Sequence, residues 1–387
     1  MKKRPHQQVL YPAVPAIEQL VRLIDNGLDN PMQLQRTCQL DIVDGAHVYP
    51  IRVSFDAQTW WFAAGRHDIW HTRLTMPLRI VEQIVAAPHQ FDFKSPESRR
   101  HLRVEGDSEV AFMITMSMLR PHPSHAATYR YVEQRRVDAY RANTVERFDR
   151  PSETEIERAI ANGTPVVATG FDMPISYRDW NLDLLVQRFG EVPLLTTHTG
   201  PMSVAQFVGC LRAIEHSGGI AARAGQSVYT AGCVLPPAMR ADFIPALYPA
   251  DRYLEPRIWF GSVPVQTAAT GLHCDPFVSF LYQVMGRKRF RLFSPDQADL
   301  LYVMRAYNRS RPCWVSAEAP DYTRFPAFAQ ARQIDVEIGP GDLLVLPPGW
   351  FHAVYCVESP TLSVSYFMDC GAPPALDDEC EVQQAMS

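Results

Sequence analysis

Near its start the chain places apolar residues at helical spacing. Val14, Ile17, Leu20, Val21 and Ile24 share one face, Pro15 suits a first turn and Asn26-Gly27 a stop, which predicts an amphipathic helix over 13–25. The period then shortens, and residues 39–75 read as strands. Residues 48–55 and 59–63 are β-branched and aromatic, separated by Asp56-Ala57-Gln58, and 70–75 follow in the same style. A helix is expected over 77–87, where Leu78, Ile80, Val81 and Ile84 are apolar, then a strand over 102–106. A helix over 108–119 carries Met113, Met116 and Met118, residues that commonly fill a core. Residues 130–147 are polar nearly all round and read as an exposed connecting helix or linker.

A second pattern starts near 151. Ser152 and Glu155 form a capping box ahead of Ile156 and Ile160, and Asn162-Gly163 ends that helix. A short strand at 165–168 and helices over 182–189 and 204–214 follow. Beyond 258 the pattern is one of short strands at 258–261, 279–284, 289–293, 334–338, 343–346, 353–357 and 362–368. Many short strands without long helices indicate a sandwich or barrel. Residues 305–332, rich in Pro, Trp and Tyr, are expected to form a substrate-facing insert between strands. The organisation read from these patterns is a small α+β domain over 1–125, a linker or connecting helix over 126–150, a domain over 151–375 and an acidic tail over 376–387.

The chain has 387 residues, room for two or three domains at ~150 residues each. Hydrophobic residues make up 47 %, enough for a sizeable core, and 32 prolines argue against a helical bundle. A net charge of −5 speaks against a nucleic-acid partner, and no apolar run is long enough for a membrane span. The basic N-terminus leads into Gln7-Gln8 rather than an apolar stretch, and the eight cysteines form no CxxC pair. A reduced, cytoplasmic location is expected.

Three residues carry the candidate chemistry. In His273-Cys274-Asp275 an extended backbone turns the imidazole and the carboxylate to one face. In Gly341–Val354 a turn starts an apolar strand, Pro347-Pro348-Gly349 breaks it, and His352 opens the next strand. Alone, His352 reads as a satisfied core histidine. Together, His273, Asp275 and His352 supply two imidazoles and one carboxylate, the facial set of non-haem Fe(II) oxygenases, with zinc left open. After Asp275 a hairpin at Met285-Gly286-Arg287 would return Lys288 toward the metal. Buried there, its ammonium would suit the distal carboxylate of 2-oxoglutarate; otherwise it is a surface hairpin residue.

These residues carry a family resemblance. Thr270-Gly271-Leu272-His273-Cys274-Asp275, then Gly286–Pro295, then Gly341–His352 resemble the JmjC/cupin-type Fe(II)/2-oxoglutarate-dependent oxygenases, and within them the asparaginyl-hydroxylase branch that inhibits the hypoxia-inducible factor. The resemblance implies a C-terminal double-stranded β-helix (a jelly-roll or cupin) with flanking helices, hence an α+β chain. It implies Fe(II) at His273, Asp275 and His352, and Thr270 and Lys288 on the 2-oxoglutarate carboxylate. Ser279 and Ser365 stand where the family often has Asn near the co-substrate. The implied reaction uses 2-oxoglutarate and dioxygen, releases succinate and CO2, and hydroxylates a peptide, protein or small-molecule substrate. Desaturation or ring formation would use the same residues. A non-catalytic cupin-barrel binding protein and a metal-dependent cupin isomerase or lyase are the alternatives. Over 30–122, ending in Leu102–Ala111, the chain resembles sterol-carrier-protein-like domains. That implies an apolar tunnel and tilts the substrate toward a hydrophobic one. A homodimer is compatible with this reading.

Overall fold

In the computed structural model of the chain, the alternating segments of the N-terminal third build one five-stranded sheet. The structure describes residues 10–369, except 32, 57–58, 94, 136–139, 141–143, 172, 197–199, 217–227, 246 and 265–267. The expected acidic tail lies outside the described residues. Two units divide the chain: Met1–Pro123 with Tyr302–Trp314, and Ser124–Leu301 with Val315–Ser387.

In the first unit the strands are β1 (Thr37–Asp44), β2 (His47–Asp56), β3 (Thr59–Ala64), β4 (Thr72–Pro77) and β5 (Arg103–Gly106), in the order β3-β2-β1-β4-β5. The β1–β4 pair is parallel and the other pairs are antiparallel. Helices α1 (Pro15–Gly27), α2 (Leu78–Ala86), α3 (Pro96–His101) and α4 (Ser108–Ser117) complete this part. Helix α1 buries Ile17, Leu20, Val21 and Ile24, the apolar stripe read from the sequence, and starts two residues later than expected. Asp107 caps α4 by accepting from the Glu109 and Val110 N–H groups, and Met113 and Met118 are buried.

Strand β1 opens the stretch read as strands over 39–75, and its Gln39 and Asp41 are polar residues between apolar ones. Both are buried nonetheless. Asp41 Oδ2 accepts from Arg73 Nε at 3.0 Å and Nη2 at 2.6 Å, and Gln39 Nε2 donates to Asp41 Oδ1 at 2.8 Å. Removing the cation would strand a buried carboxylate. Arg73→Ala is therefore expected to destabilise this unit by about 3 kcal/mol, read as a lower midpoint in thermal or urea unfolding.

The second unit begins with α5 (Pro123–Gln134), β6 (Glu146–Asp149), α6 (Glu153–Ala161) and β7 (Val166–Thr169). Within the stretch read as exposed and polar, Val132 of α5 and Tyr140 are buried, and Arg147 of β6 donates to the Asp342 carboxylate at 3.1 Å. The capping box at Ser152 and Glu155 is present. Then come α7 (Leu182–Phe189), β8 (Pro193–Thr196), β9 (Gly200–Ser203), α8 (Val204–His216), β10 (Val228–Tyr229), β11 (Cys233–Val234) and α9 (Pro237–Phe243). The remaining strands of this unit are β12 (Arg257–Ser262), β13 (Ala268–Cys274), β14 (Val278–Phe293), β16 (Ile334–Ile338), β17 (Leu343–Leu346) and β18 (Phe351–Met368), while the two-residue β15 (Arg311–Pro312) falls in the first unit. The expected insert over 305–332 is divided, since its residues up to Trp314 belong with the N-terminal unit.

Two long strands organise the second unit. Strand β14 pairs with β17 through Ser279–Tyr282 and with β16 through Lys288–Leu292. Strand β18 pairs with β13 through His352–Tyr355 and with β12 through Thr361–Ser365, while β14 and β18 pair with each other along their length. Each long strand thus serves two sheets, the arrangement of a double-stranded β-helix. The chain is α+β, as expected. Outside, Ile258, Phe260, Phe280, Tyr282, Val364 and Tyr366 pack with residues of α7, α8 and α9.

The expected hairpin at Met285–Arg287 is absent. The chain runs on as one 16-residue strand with register shifts between Gln283 and Lys288. Gly286 sits at φ +68, and a Cβ there would meet the Pro360 carbonyl oxygen at 2.6 Å. Gln283 Nε2 donates to the Met285 and Gly286 carbonyls, tying down groups that the bulge frees from the ladder. The irregularity bends the strand instead of reversing it. Likewise 353–357 and 362–368 are parts of one strand. Among the described residues no helix is long and apolar enough to cross a membrane.

Candidate metal centre

The register of the second unit brings His273 and His352 side by side. They are directly paired between β13 and β18, with ring centroids 4.3 Å apart. Asp275 lies just past the end of β13, so its carboxylate reaches the histidines from a turn and not from the strand face inferred from the sequence. That turn is held on both sides: Tyr129 donates to the Cys274 carbonyl at 2.9 Å, and the Gly349 N–H donates to the Asp275 carbonyl at 2.9 Å.

One ligand atom from each of His273, Asp275 and His352 lies within 4.8 Å of the other two. Asp275 Oδ2 is 3.9 Å from His273 Nε2 and 4.0 Å from His352 Nε2. The far ring nitrogens are engaged: His273 Nδ1 lies 2.8 Å from the Gly271 carbonyl and His352 Nδ1 3.1 Å from the Trp350 carbonyl. A carbonyl only accepts, so each Nδ1 carries the hydrogen and each Nε2 presents its lone pair to the carboxylate side. Burial, and then the neighbouring His273, push the His352 imidazolium below the usual histidine range against the opposing pull of Asp275. It is neutral at ordinary pH, as a metal ligand must be. Two imidazole nitrogens and one carboxylate oxygen, oriented by outer carbonyls, fit an open divalent-metal site of the facial type.

On the same faces of the sheet lies a buried cation. Cys356 is directly opposite Lys288, Val354 opposite Phe290 and Thr270, and His352 opposite Leu292 and His273. Alternation therefore puts Lys288, Thr270 and the histidines on one inner surface. His352 and Cys356 are four residues apart, about 13 Å of strand. Lys288 is 1 % exposed, and its Nζ donates to the Tyr229 hydroxyl at 3.1 Å. No carboxylate among the described residues pairs with it. Burial lowers its pKa to about 8 against a smaller opposing effect of Cys356. Tyr229 and the Cys356 thiol are both raised, again chiefly by burial.

The other candidate positions are distributed differently. Thr270 is half-buried, and its hydroxyl takes no partner among the described residues. Ser279, the second residue of β14 and four beyond Asp275, likewise has no side-chain bond among the described residues. Ser365 is engaged, its Oγ accepting from Trp259 Nε1 at 2.8 Å.

The comparisons with known proteins bear on this region. Residues 235–370 match the family described as a cupin-like domain. The HSPB1-associated protein 1 homolog of Danio rerio is 35% identical over 133 residues, 34% of this chain and 28% of that protein. Lysine-specific demethylase 8 of Xenopus tropicalis is 34% identical over 109 residues, 28% of this chain and 24% of its own length. JmjC domain-containing protein D of Dictyostelium discoideum is 33% identical over 102 residues, 26% of this chain and 22% of its length. The second unit carries a cupin-like domain, similar in sequence to part of a JmjC domain-containing protein. The matches span about a quarter of these distant relatives' lengths.

Sequence reasoning missed Tyr229, which precedes the stretch that matches the cupin-like domain. A tyrosine in a two-residue strand has no spacing that ties it to His273 or Lys288. Only the fold brings its hydroxyl onto the ammonium. Tyr229→Phe removes the one hydrogen bond that Lys288 makes among the described residues, and a bond to a charged group is worth about 1.5–3 kcal/mol. The dissociation constant of a carboxylate ligand bound at Lys288, measured by calorimetry, is expected to rise by about tenfold or more.

Proposed function

We propose that the protein is an Fe(II)- and 2-oxoglutarate-dependent dioxygenase that hydroxylates its substrate and releases succinate and CO2. The observation that carries the reading is the pairing, on one inner surface, of the His273–Asp275–His352 set with a fully buried Lys288 that has no counter-ion among the described residues. A buried ammonium is costly without an anion, and a dicarboxylate extending from the metal supplies one. His273, Asp275 and His352 would hold Fe(II), which with 2-oxoglutarate and dioxygen supplies the oxidising power for hydroxylation.

The chain's own residues do the rest. Lys288 and the Tyr229 hydroxyl bind the distal carboxylate, with Thr270 an open donor beside them and Ser279 a second near Asp275. Ser365 acts through Trp259, fixing the indole over the inner surface. The Gly271 and Trp350 carbonyls keep both imidazoles in the tautomer that offers Nε2. The buried strand faces around Phe290 and Val354 exclude water from that surface.

The substrate is a peptide or protein side chain, or a small metabolite. Relatives carry the words lysine-specific demethylase, and others the words HSPB1-associated protein. The asparaginyl-hydroxylase likeness of the 270–352 motifs favours hydroxylation as the outcome. The sterol-carrier likeness of residues 30–122 favours a hydrophobic or carrier-presented substrate, which lipid extraction and mass spectrometry of the purified protein would reveal. The reading is tested by succinate formation from 2-oxoglutarate with Fe(II) under air. Wild type should form succinate and give the visible charge-transfer band of chelated 2-oxoglutarate under anaerobic conditions. His273→Ala and Asp275→Ala should do neither. A wild type that binds iron without the band would overturn the reading in favour of a cupin binding protein, isomerase or lyase.

A further inference from the structure

The first residue of β12 is Arg257, which has no anionic partner among the described residues and lies on the inner surface of the cupin-like domain. Ile258 and Phe260 point into the outer core with the helices, whereas Trp259 packs with Tyr229 and Cys356. Alternation along the strand puts Arg257 on the Trp259 side, and its cross-strand partner is Ser365, the residue that accepts from the Trp259 indole. The position along the sheet is also defined. Just past Asp275, β14 opens with Val278 and Ser279 opposite Met368 and Phe367, and Arg257 pairs with Ser365, two residues from Phe367, on the other edge of β18. Arg257 therefore stands at the end of the sheet that carries Asp275, while Lys288 stands deeper.

Its charge is unanswered. Arg257 is half-buried, and its one recorded hydrogen bond is a long one, from Nη1 to the Gly232 carbonyl at 3.5 Å. Among the described residues it has no carboxylate partner. Other arginines of the unit do have one: Arg188 pairs with Asp242, Arg252 with Glu153 and Arg291 with Asp335. A guanidinium has five donors in a planar fork that matches carboxylate and phosphate, and leaving them unmet in a half-buried place is unfavourable.

We propose that Arg257 binds an anionic group of the substrate, a carboxylate or a phosphate, beside the metal centre. The inference rests on the oxygenase reading for its setting and adds the chemical class of the substrate. A neutral group would forgo the charge, and a cationic side chain would be repelled.

The experiment uses the full chain and four probes: capped glutamate, phosphoserine, glutamine and lysine, each N-acetylated and C-amidated. Binding is measured by calorimetry on metal-free protein and on the anaerobic Fe(II)–2-oxoglutarate form. Wild type is expected to bind the glutamate or the phosphoserine probe about tenfold or more tightly than glutamine, with lysine weakest. Whichever anion is preferred identifies the source of the charge. Arg257→Met should bring anion and glutamine affinities together, and Arg257→Lys should restore part of the difference. Arg257→Gln serves if the methionine variant fails to fold. Three results overturn the proposal: no preference for either anion in wild type, a preference that persists without Arg257, or an equal weakening of 2-oxoglutarate in the variant, which would assign the arginine to the co-substrate. Loss of the charge-transfer band in wild type would instead count against the oxygenase reading, while the calorimetry of metal-free protein still decides the role of Arg257.

Discussion

Replacing Lys288 by methionine is expected to separate stability from function in opposite directions. The ammonium is 1 % exposed and is answered by a single neutral hydroxyl at 3.1 Å. Methionine fills nearly the same volume without a charge to desolvate. The metal-free variant should unfold at a higher temperature or denaturant concentration, with a gain of about 1–4 kcal/mol. The same change removes the counter-charge for the co-substrate, so the charge-transfer band and succinate formation should disappear. The pH dependence has a definite sign. The folded pKa is lowered to about 8 from an ordinary 10.5, so above 8 the native state sheds a proton that the unfolded chain still holds. The unfolding free energy of wild type should therefore rise relative to Lys288→Met between pH 8 and 10.5, and the difference should be flat below 8. Affinity of wild type for 2-oxoglutarate should fall over the same interval as the ammonium is lost. A variant less stable than wild type at neutral pH would show that Lys288 is neutralised by a partner within the chain.

What the sequence reveals of this molecule follows the physics of each signal. The helix of Ile17, Leu20, Val21 and Ile24 is legible because its stripe and its Pro15 are local. The capping box at Ser152 is legible for the same reason. The burial of Asp41 in strand β1 is hidden because Arg73, which makes that carboxylate buriable, is distant in sequence. The bend at Gly286 is legible as an interruption but not in its sense, since a bulge and a hairpin use the same residues, and Gln283 bonding to the freed carbonyls decides between them. In the candidate site, His273, Asp275 and His352 stand out because metal ligands are a restricted set of side chains. Tyr229 and Arg257 do not, because a tyrosine or an arginine acquires its meaning only from what faces it.

Removing the Asp275 carboxylate is expected to abolish metal binding at micromolar iron together with succinate formation, and Asp275→Asn is the sharper version of the test. The amide keeps size and hydrogen bonding but loses the negative charge that lies 3.9 and 4.0 Å from the two Nε2 atoms. Partners that only orient a ligand are worth about 10–100-fold in metal affinity, so loss of a direct anionic ligand should cost at least as much. Iron content measured after dialysis, beside the anaerobic band, reads the binding step directly. The fold should persist, because the turn at Asp275 is held by backbone carbonyls that accept from Tyr129 and Gly349, and the carboxylate takes no part in either bond. Unchanged circular dichroism with iron lost would place the defect at the metal. Full iron content and full turnover in Asp275→Asn would mean that the two imidazoles suffice, and the three-ligand centre would have to be abandoned.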